Sequence, residues 1–212
     1  MEDYAIRNFR FKDTFKTAKA VSDAWNLETE IKNKYVLKFT CLAYLYFMLA
    51  KSNYVKLLFE NNKIAAVLLA RNDHKTNWFK IFNLIFMLIF SFFLVLTKDG
   101  RNLFNYQLEY NRVLDILMTK NNKEYDGEAV LLFSLPEYKG KGYGSILLNG
   151  YKDYMNNLGF FNLYLITDDY CNYKYYDKIG YKLVGTEGDN FNFINMDFFQ
   201  NLYIYEFDGQ KI

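Results

Sequence analysis

Proline occurs once in the 212 residues, histidine once and cysteine twice. Each scarcity removes a class of answers. With a single proline there is no proline-rich linker to divide the chain, and no repeat or low-complexity tract divides it either. His74 alone cannot build a histidine-rich metal centre, so no metal site is expected. A Ser-His-Asp triad would rest on this one ring, set between Asp73 and Lys75 in a polar stretch. Cys41 and Cys171 are too few for a disulfide scaffold and read as buried filler. With the acidic start Met1-Glu2-Asp3 in place of a cationic leader, they point to a reducing, cytoplasmic setting. The net charge is only +2 and the lysines are dispersed, so nucleic acid is not an expected partner.

Apolar surface, by contrast, is plentiful. A chain that is 51% hydrophobic and 20% aromatic can bury the core of one domain spanning residues 1–212. Residues 4–11 read as a first strand and 12–25 as a helix. Val36, Phe39, Thr40, Ala43, Phe47 and Ala50 recur at three- and four-residue steps, which predicts a helix over 35–50 that packs by one face. Two β-prone runs, 54–60 and 64–70, flank Asn61-Asn62-Lys63 and predict a hairpin. Pro136 stands just after the apolar run 129–135, as a strand terminator would.

That run leads into Gly140-Lys141-Gly142-Tyr143-Gly144-Ser145, which opens a helix-patterned segment over 146–158. Glycine lets backbone approach a ligand without Cβ interference, and the first-turn N–H groups of a helix carry about +0.5 charge toward it. A phosphate or pyrophosphate is the expected guest. The spacing fits neither a P-loop, which needs Gly-Lys followed by Ser or Thr, nor a dinucleotide loop, whose third glycine would fall at Ser145.

Lys139-Gly140-Lys141-Gly142-Tyr143-Gly144 instead resembles the Arg/Gln-x-x-Gly-x-Gly/Ala pyrophosphate loop of the GNAT acetyltransferases, with Lys139 at the Arg/Gln position. Tyr175-Tyr176-Asp177-Lys178-Ile179-Gly180-Tyr181 is similar to that family's Phe-Tyr-Glu-Lys-x-Gly-Phe signature, and the β-prone run 162–168 lies between the two. The resemblance covers residues 125–186. It implies an α/β (α+β) GNAT fold, a mixed central sheet flanked by helices, with acetyl-CoA as co-substrate and an amine as acceptor, either a small molecule or a peptide.

Roles follow from the same resemblance. Lys139, Gly140, Lys141, Gly142, Tyr143, Gly144 and Ser145 would hold the pyrophosphate. Phe133, Ser134 and Leu135 match the splayed strand end whose backbone pairs with the pantetheine arm, and Asn172 and Asp169 stand where a further pantetheine contact is common. Tyr176 matches the tyrosine that protonates the departing thiolate, while Tyr175 takes a packing position. Glu128, sixteen residues before Gly144, resembles the general base of the histone-modifying branch.

One segment departs from the family. Its third and fourth strands are joined by a short connection, whereas here residues 71–126 intervene and read as a helical hairpin. Residues 84–96 form an apolar run of thirteen broken only by Ser91, too short for the roughly 20 residues of a span. A packed or homodimer-forming helix is the favoured reading, and membrane-surface contact comes second. Asp99-Gly100 is expected to end that helix. Leu103, Tyr106, Tyr110, Val113, Leu114, Leu117 and Met118 then predict a second one, which would serve as acceptor wall or as added core cover. Alternatives to an acetyltransferase are a CoA-binding regulatory or docking module with decayed catalysis, and a longer-chain acyltransferase whose apolar segment lines an acyl channel. Retention of both the glycine loop and Tyr176 favours the enzyme.

Overall fold

Seven strands form one sheet in a computed structural model that describes residues 4–193 and 196–208. The first half of the chain supplies β1 (Tyr4–Asn8), α1 (Thr14–Ala24), α2 (Lys34–Lys51), β2 (Tyr54–Glu60) and β3 (Lys63–Asn72). Two helices, α3 (Lys80–Val95) and α4 (Lys98–Asn121), then connect β3 to β4 (Gly127–Ser134). After these come α5 (Tyr143–Asn156), β5 (Asn162–Asp168), a short α6 (Lys174–Lys178), β6 (Lys182–Phe193) and β7 (Met196–Asp208). The strand order is β1-β2-β3-β4-β5-β7-β6; β4 and β5 run parallel and every other pair antiparallel.

Local chemistry explains the turns. Asn61 and Asn62 both take positive φ, 49° and 62°, the handedness of a two-residue hairpin turn, so Lys63 belongs to β3 rather than to the loop. β3 is buried from Ile64 to Ala70 because helices cover both faces of the sheet. The hydroxyl of Tyr151 and the end of Met155, both on α5, lie against Gly127, so α5 covers the face toward which Gly127 points. Glu128 points to the opposite face. There Tyr164 of β5 packs with Val113 and Leu117 of α4, and α2 packs against α3 and α4.

Other boundaries shift as well, and a strand is added. The first strand ends at Asn8, where a turn of 3₁₀ helix over Phe11–Asp13 takes over and Asp13 is held by Arg7 at 2.7 Å. α5 starts at Tyr143 instead of residue 146, so Gly144 and Ser145 lie in its first turn. The break between α3 and α4 falls at Thr97, whose hydroxyl accepts the Gly100 amide at 3.0 Å, and Asp99-Gly100 therefore open α4 rather than close α3. Gly100 is there for space: a Cβ would sit 2.1 Å from the Leu94 carbonyl oxygen. Gly100→Ala is accordingly expected to cost about 1–3 kcal/mol, read as a lowered Tm in thermal unfolding. Nothing in the sequence reading anticipated β7, which inserts between β5 and β6.

One irregularity positions the site. Ala70 pairs with Ala129 and Leu69 with Leu131, which leaves Val130 as the extra residue of a bulge. The β4–β5 ladder covers only Gly127–Leu163, Glu128–Tyr164 and Ala129–Leu165. Beyond it β4 continues to Ser134 against β3, and β5 continues to Asp168 against β7. A bulge bends its strand and increases local twist, so the two parallel strands part where the bulge sits and leave a wedge between unpaired edges.

Candidate active site

The glycine loop lies at the open end of β4. A 3₁₀ turn over Pro136–Tyr138 leads into Lys139, and Gly140 and Gly142 take φ of 84° and 77°, a conformation that side-chain-bearing residues rarely adopt. A Cβ built on either glycine meets nothing within 4 Å, so this backbone is held in the left-handed region beside open space. Gly142 caps α5 without a side chain, which leaves the first-turn amides to face outward. Gly144 lies close to β4, where a Cβ would come 3.6 Å from the Ser134 hydroxyl. These features together fit a diphosphate, a large anion that needs bare backbone and aligned N–H groups.

The side chains of the loop hold it in place. Tyr143 is buried and donates its hydroxyl to Glu60 at 2.5 Å, while the Lys141 ammonium pairs with the same carboxylate at 2.7 Å. Those two contacts keep the Glu60 carboxyl below its ordinary range. Lys141 thus anchors the loop to β2 while its backbone stays part of the cradle. Ser145 is tied to the hydroxyl of Tyr175, which brings α6 against the start of α5. Tyr175 is therefore more than packing.

Tyr176, next in α6, lies between Tyr175, Tyr181 and Tyr205, with ring centroids 5.5–5.9 Å away. Burial raises its phenol, with Cys171 adding to the effect, so the hydroxyl stays protonated through the neutral range. Among the described residues no hydrogen-bond partner is found for it. Such a group is poised to donate.

On the opposite face two carboxylates compete for attention. Glu128 is not a solvated strand end: its Oε2 accepts from Tyr164 at 3.0 Å and lies 3.2 Å from Arg71. Arg71 also binds Asp73, and its guanidinium is held charged against the penalty of burial by Glu128, Tyr164 and Asp73. Glu128 sits in the closed part of the β4–β5 ladder. Asp168 ends β5 at the open part. Its face follows by alternation from Tyr164 and Ile166, both packed toward α4. Its Oδ1 accepts the amides of Tyr170 and Cys171 at 3.0 and 3.1 Å, yet burial still pushes its carboxyl above the ordinary range. Burial, and after it this carboxylate, also raise the phenols of Tyr106 and Tyr110 on α4; Tyr44 on α2 is raised by burial, with Cys171 and Asp168 adding. Trp25 packs edge-on against Phe133 of β4 at 5.2 Å and Tyr44 at 6.4 Å. An acid thus stands near aromatic rings contributed by α2 and α4.

Other expected contacts are placed differently. The Leu135 amide already donates to Ala65 at 2.9 Å, so it cannot also pair with a ligand in the wedge. Asp169 is committed to β7, accepting from the Tyr203 hydroxyl at 2.6 Å and from Asn201 at 2.6 and 3.0 Å. Asn172 is exposed, its carbonyl accepting from Tyr175 at 3.0 Å. His74 stacks on Phe160 at 4.0 Å with its Nε2 2.9 Å from Asp126, which accounts for the lone histidine without a triad. No cluster able to hold a metal ion occurs among the described residues.

Residues 100–181 match the family model described as Acetyltransferase (GNAT) family. Over this stretch the chain is similar to the GNAT acetyltransferases. Solved structures agree on the fold. The N-acetyltransferase from Staphylococcus aureus Mu50 is 15% identical at a TM-score of 0.56, over 98% of this chain and 99% of that one. PH1933 from Pyrococcus horikoshii OT3 is 13% identical at 0.59, over 99% and 100%. The ribosomal-protein-S18-alanine N-acetyltransferase from Escherichia coli is 12% identical at 0.54, over 99% and 96%. Among curated proteins, none matches the sequence. The GNAT match spans the glycine loop, the wedge strands and Tyr176, together with nearly all of α4.

Asp168 and the aromatic rings around it were missed by sequence reasoning. In the sequence Asp168 only closes the β-prone run 162–168, and nothing in that run shows that the strand parts from β4 just there. The bulge at Val130 carries no glycine or proline to announce it.

Proposed function

We propose that this chain transfers the acetyl group of acetyl-CoA directly to a primary amine within a ternary complex, as a single domain over residues 1–212 with residues 71–126 as a helical insertion. The observation that carries this reading is the left-handed pair Gly140 and Gly142, open to solvent at the start of α5 and beside the wedge between β4 and β5. Acetyl-CoA supplies the thioester. Lys139, Gly140, Lys141, Gly142, Tyr143, Gly144 and Ser145 bind its pyrophosphate through backbone N–H groups, and the edge of β4 through Phe133 and Ser134 lies beside the pantetheine arm, with Asn172 across from it. The amine nitrogen attacks the thioester carbonyl, the C–S bond breaks, and the sulfur leaves as thiolate stabilised and protonated by Tyr176. Both free cysteines fit a reducing, cytoplasmic location.

The acceptor comes from the face opposite Tyr176, where a carboxylate must take the ammonium proton. Glu128 is the base by position in the family pattern, and Asp168 is the better placed one. It lies at the open end of the wedge, and its raised carboxyl is closer to neutral than an ordinary acid. Two structural neighbours are named for amine acceptors of different size, an alanine of ribosomal protein S18 and agmatine, so the fold itself accommodates both. The outermost apolar side chains of α3 point to solvent instead of the wedge, which favours acetyl over a long acyl chain.

A thiol-release assay with acetyl-CoA and a panel of amines tests the activity; no release above hydrolysis with any amine would remove it. Asp168→Asn keeps the Oδ1 acceptor for the two amides and removes the base. Its kcat/KM should fall by about 10²-fold below neutral pH and recover as rising pH supplies free amine, whereas Glu128→Gln should follow the parent. Should Glu128→Gln show that pH-dependent loss and Asp168→Asn the parent profile, Glu128 is the base.

A further inference from the structure

The outward face of α3 is apolar along its whole length. Ile81 is 74% exposed, Leu88 61% and Phe92 60%, and Trp78 just before the helix is 85% exposed. Ile85, Ile89 and Phe93 extend the stripe, while the polar Asn83 is turned inward and buried. The helix packs by its other side, through Phe86 on Tyr46 and Phe90 on Phe39. Phe11 lies edge-on to Phe82 and Phe86 and carries the apolar surface toward α1. A contiguous face of this size on a folded domain marks a docking surface.

Charge selects the occupant. No acidic residue occurs from residue 74 to residue 98 or from residue 31 to residue 59. Lys75 and Lys80 stand at the start of α3 and Lys98 at its end, where the Arg101 guanidinium donates to the Val95 carbonyl at 3.0 Å. Lys12 follows Phe11, and Lys38 reaches over the Phe15 ring at 5.4 Å. Among the described residues none of these lysines pairs with a carboxylate; Asp13 is held by Arg7 and Asp73 by Arg71, so that Asp99, next to Lys98, is the one acid beside α3 not taken up by an arginine among the described ion pairs. An apolar stripe with a cationic rim complements a bilayer of anionic lipid, with side chains entering the acyl boundary and lysines at the headgroups. A second copy meeting this face across a two-fold axis would set the same cationic rim against itself. Spanning is not at issue, since no helix among the described residues is long and apolar enough to cross a membrane. The sixteen residues of α3 make a rod of about 24 Å that lies flat.

We propose that the exposed face of α3, with Trp78 and the surrounding lysines, docks this domain onto an anionic membrane surface. The proposal stands whether or not the acetyl transfer argued above is correct, because it uses none of the same residues. The test is co-sedimentation of the full chain with phosphatidylcholine vesicles and with vesicles containing phosphatidylglycerol. Pelleting is expected with the anionic vesicles, weakening as salt rises, with Trp78 emission shifting to the blue. The double variant Leu88→Gln/Phe92→Gln alters only exposed side chains and should keep the parent circular dichroism while losing vesicle affinity at least about tenfold. Lys80→Glu/Lys98→Glu should lose the preference for anionic lipid. If the parent stays in the supernatant with both vesicle types, the proposal is wrong. It is equally overturned if light scattering shows a dimer that Leu88→Gln/Phe92→Gln dissociates, because the face then belongs to a second copy.

Discussion

Gly142→Val is expected to lower CoA affinity by at least about a hundredfold, or some 2.7 kcal/mol, in calorimetric titration of a protein that still folds. Two causes act together. At φ 77° a β-branched residue is strained by about 1–3 kcal/mol, so the loop relaxes away from the conformation that presents its amides. The added methyl groups also enter space that no atom of the chain occupies within 4 Å, space that a diphosphate would fill. Gly159 separates strain from ligand contact. It has φ 82°, is equally unobstructed, and lies past the far end of α5. Gly159→Val should carry a similar cost in stability and leave CoA affinity intact. Equal losses in the two variants would trace the effect to general instability, and unchanged affinity in Gly142→Val would remove the basis for placing the pyrophosphate at this loop.

What the sequence made legible was local. Asn61-Asn62 marks the hairpin because two adjacent residues tolerant of positive φ satisfy a short turn, and residues 162–168 match β5 from end to end because a β-prone run is bounded there by polar residues. The glycine loop was legible for the same reason. Capping was read less well. Gly100 looks like a helix terminator, yet it is required inside the first turn of α4 by the approach of the Leu94 carbonyl across the tight α3–α4 turn, a geometry that residue type alone does not announce. β7 escaped because Phe198-Phe199, Gln200-Asn201 and the run Leu202 to Tyr205 break the two-residue alternation that marks a half-buried strand, and its place between β5 and β6 is a long-range choice. The site divides in the same way. Tyr176 and the loop lie in contiguous motifs, whereas the surroundings of Asp168 draw on α2, α4 and β5, which only tertiary structure brings together.

Replacing Tyr176 by Phe removes one oxygen. Tyr176→Phe should lower turnover by about 10² to 10⁴-fold with the best amine found, the range usual for a lost general acid, and leave CoA affinity nearly unchanged. Its ring contacts with Tyr175, Tyr181 and Tyr205 need no hydroxyl, so Tm should hold. The sign of the pH effect follows from burial. A phenol raised above its ordinary value of about 10 is protonated at every practical assay pH, so Tyr176 should contribute no limb to the profile of kcat/KM at neutral pH. With a carboxylate as the proposed base, the acid-side limb would be its own, and the Tyr176→Phe profile should keep the parent's shape at a lower height. A parent rate in a folded Tyr176→Phe protein would make this tyrosine a packing residue and leave water as the source of the thiolate's proton. A changed acid limb would mean that the phenol also orders the acceptor side, which its place on the opposite face of the wedge argues against.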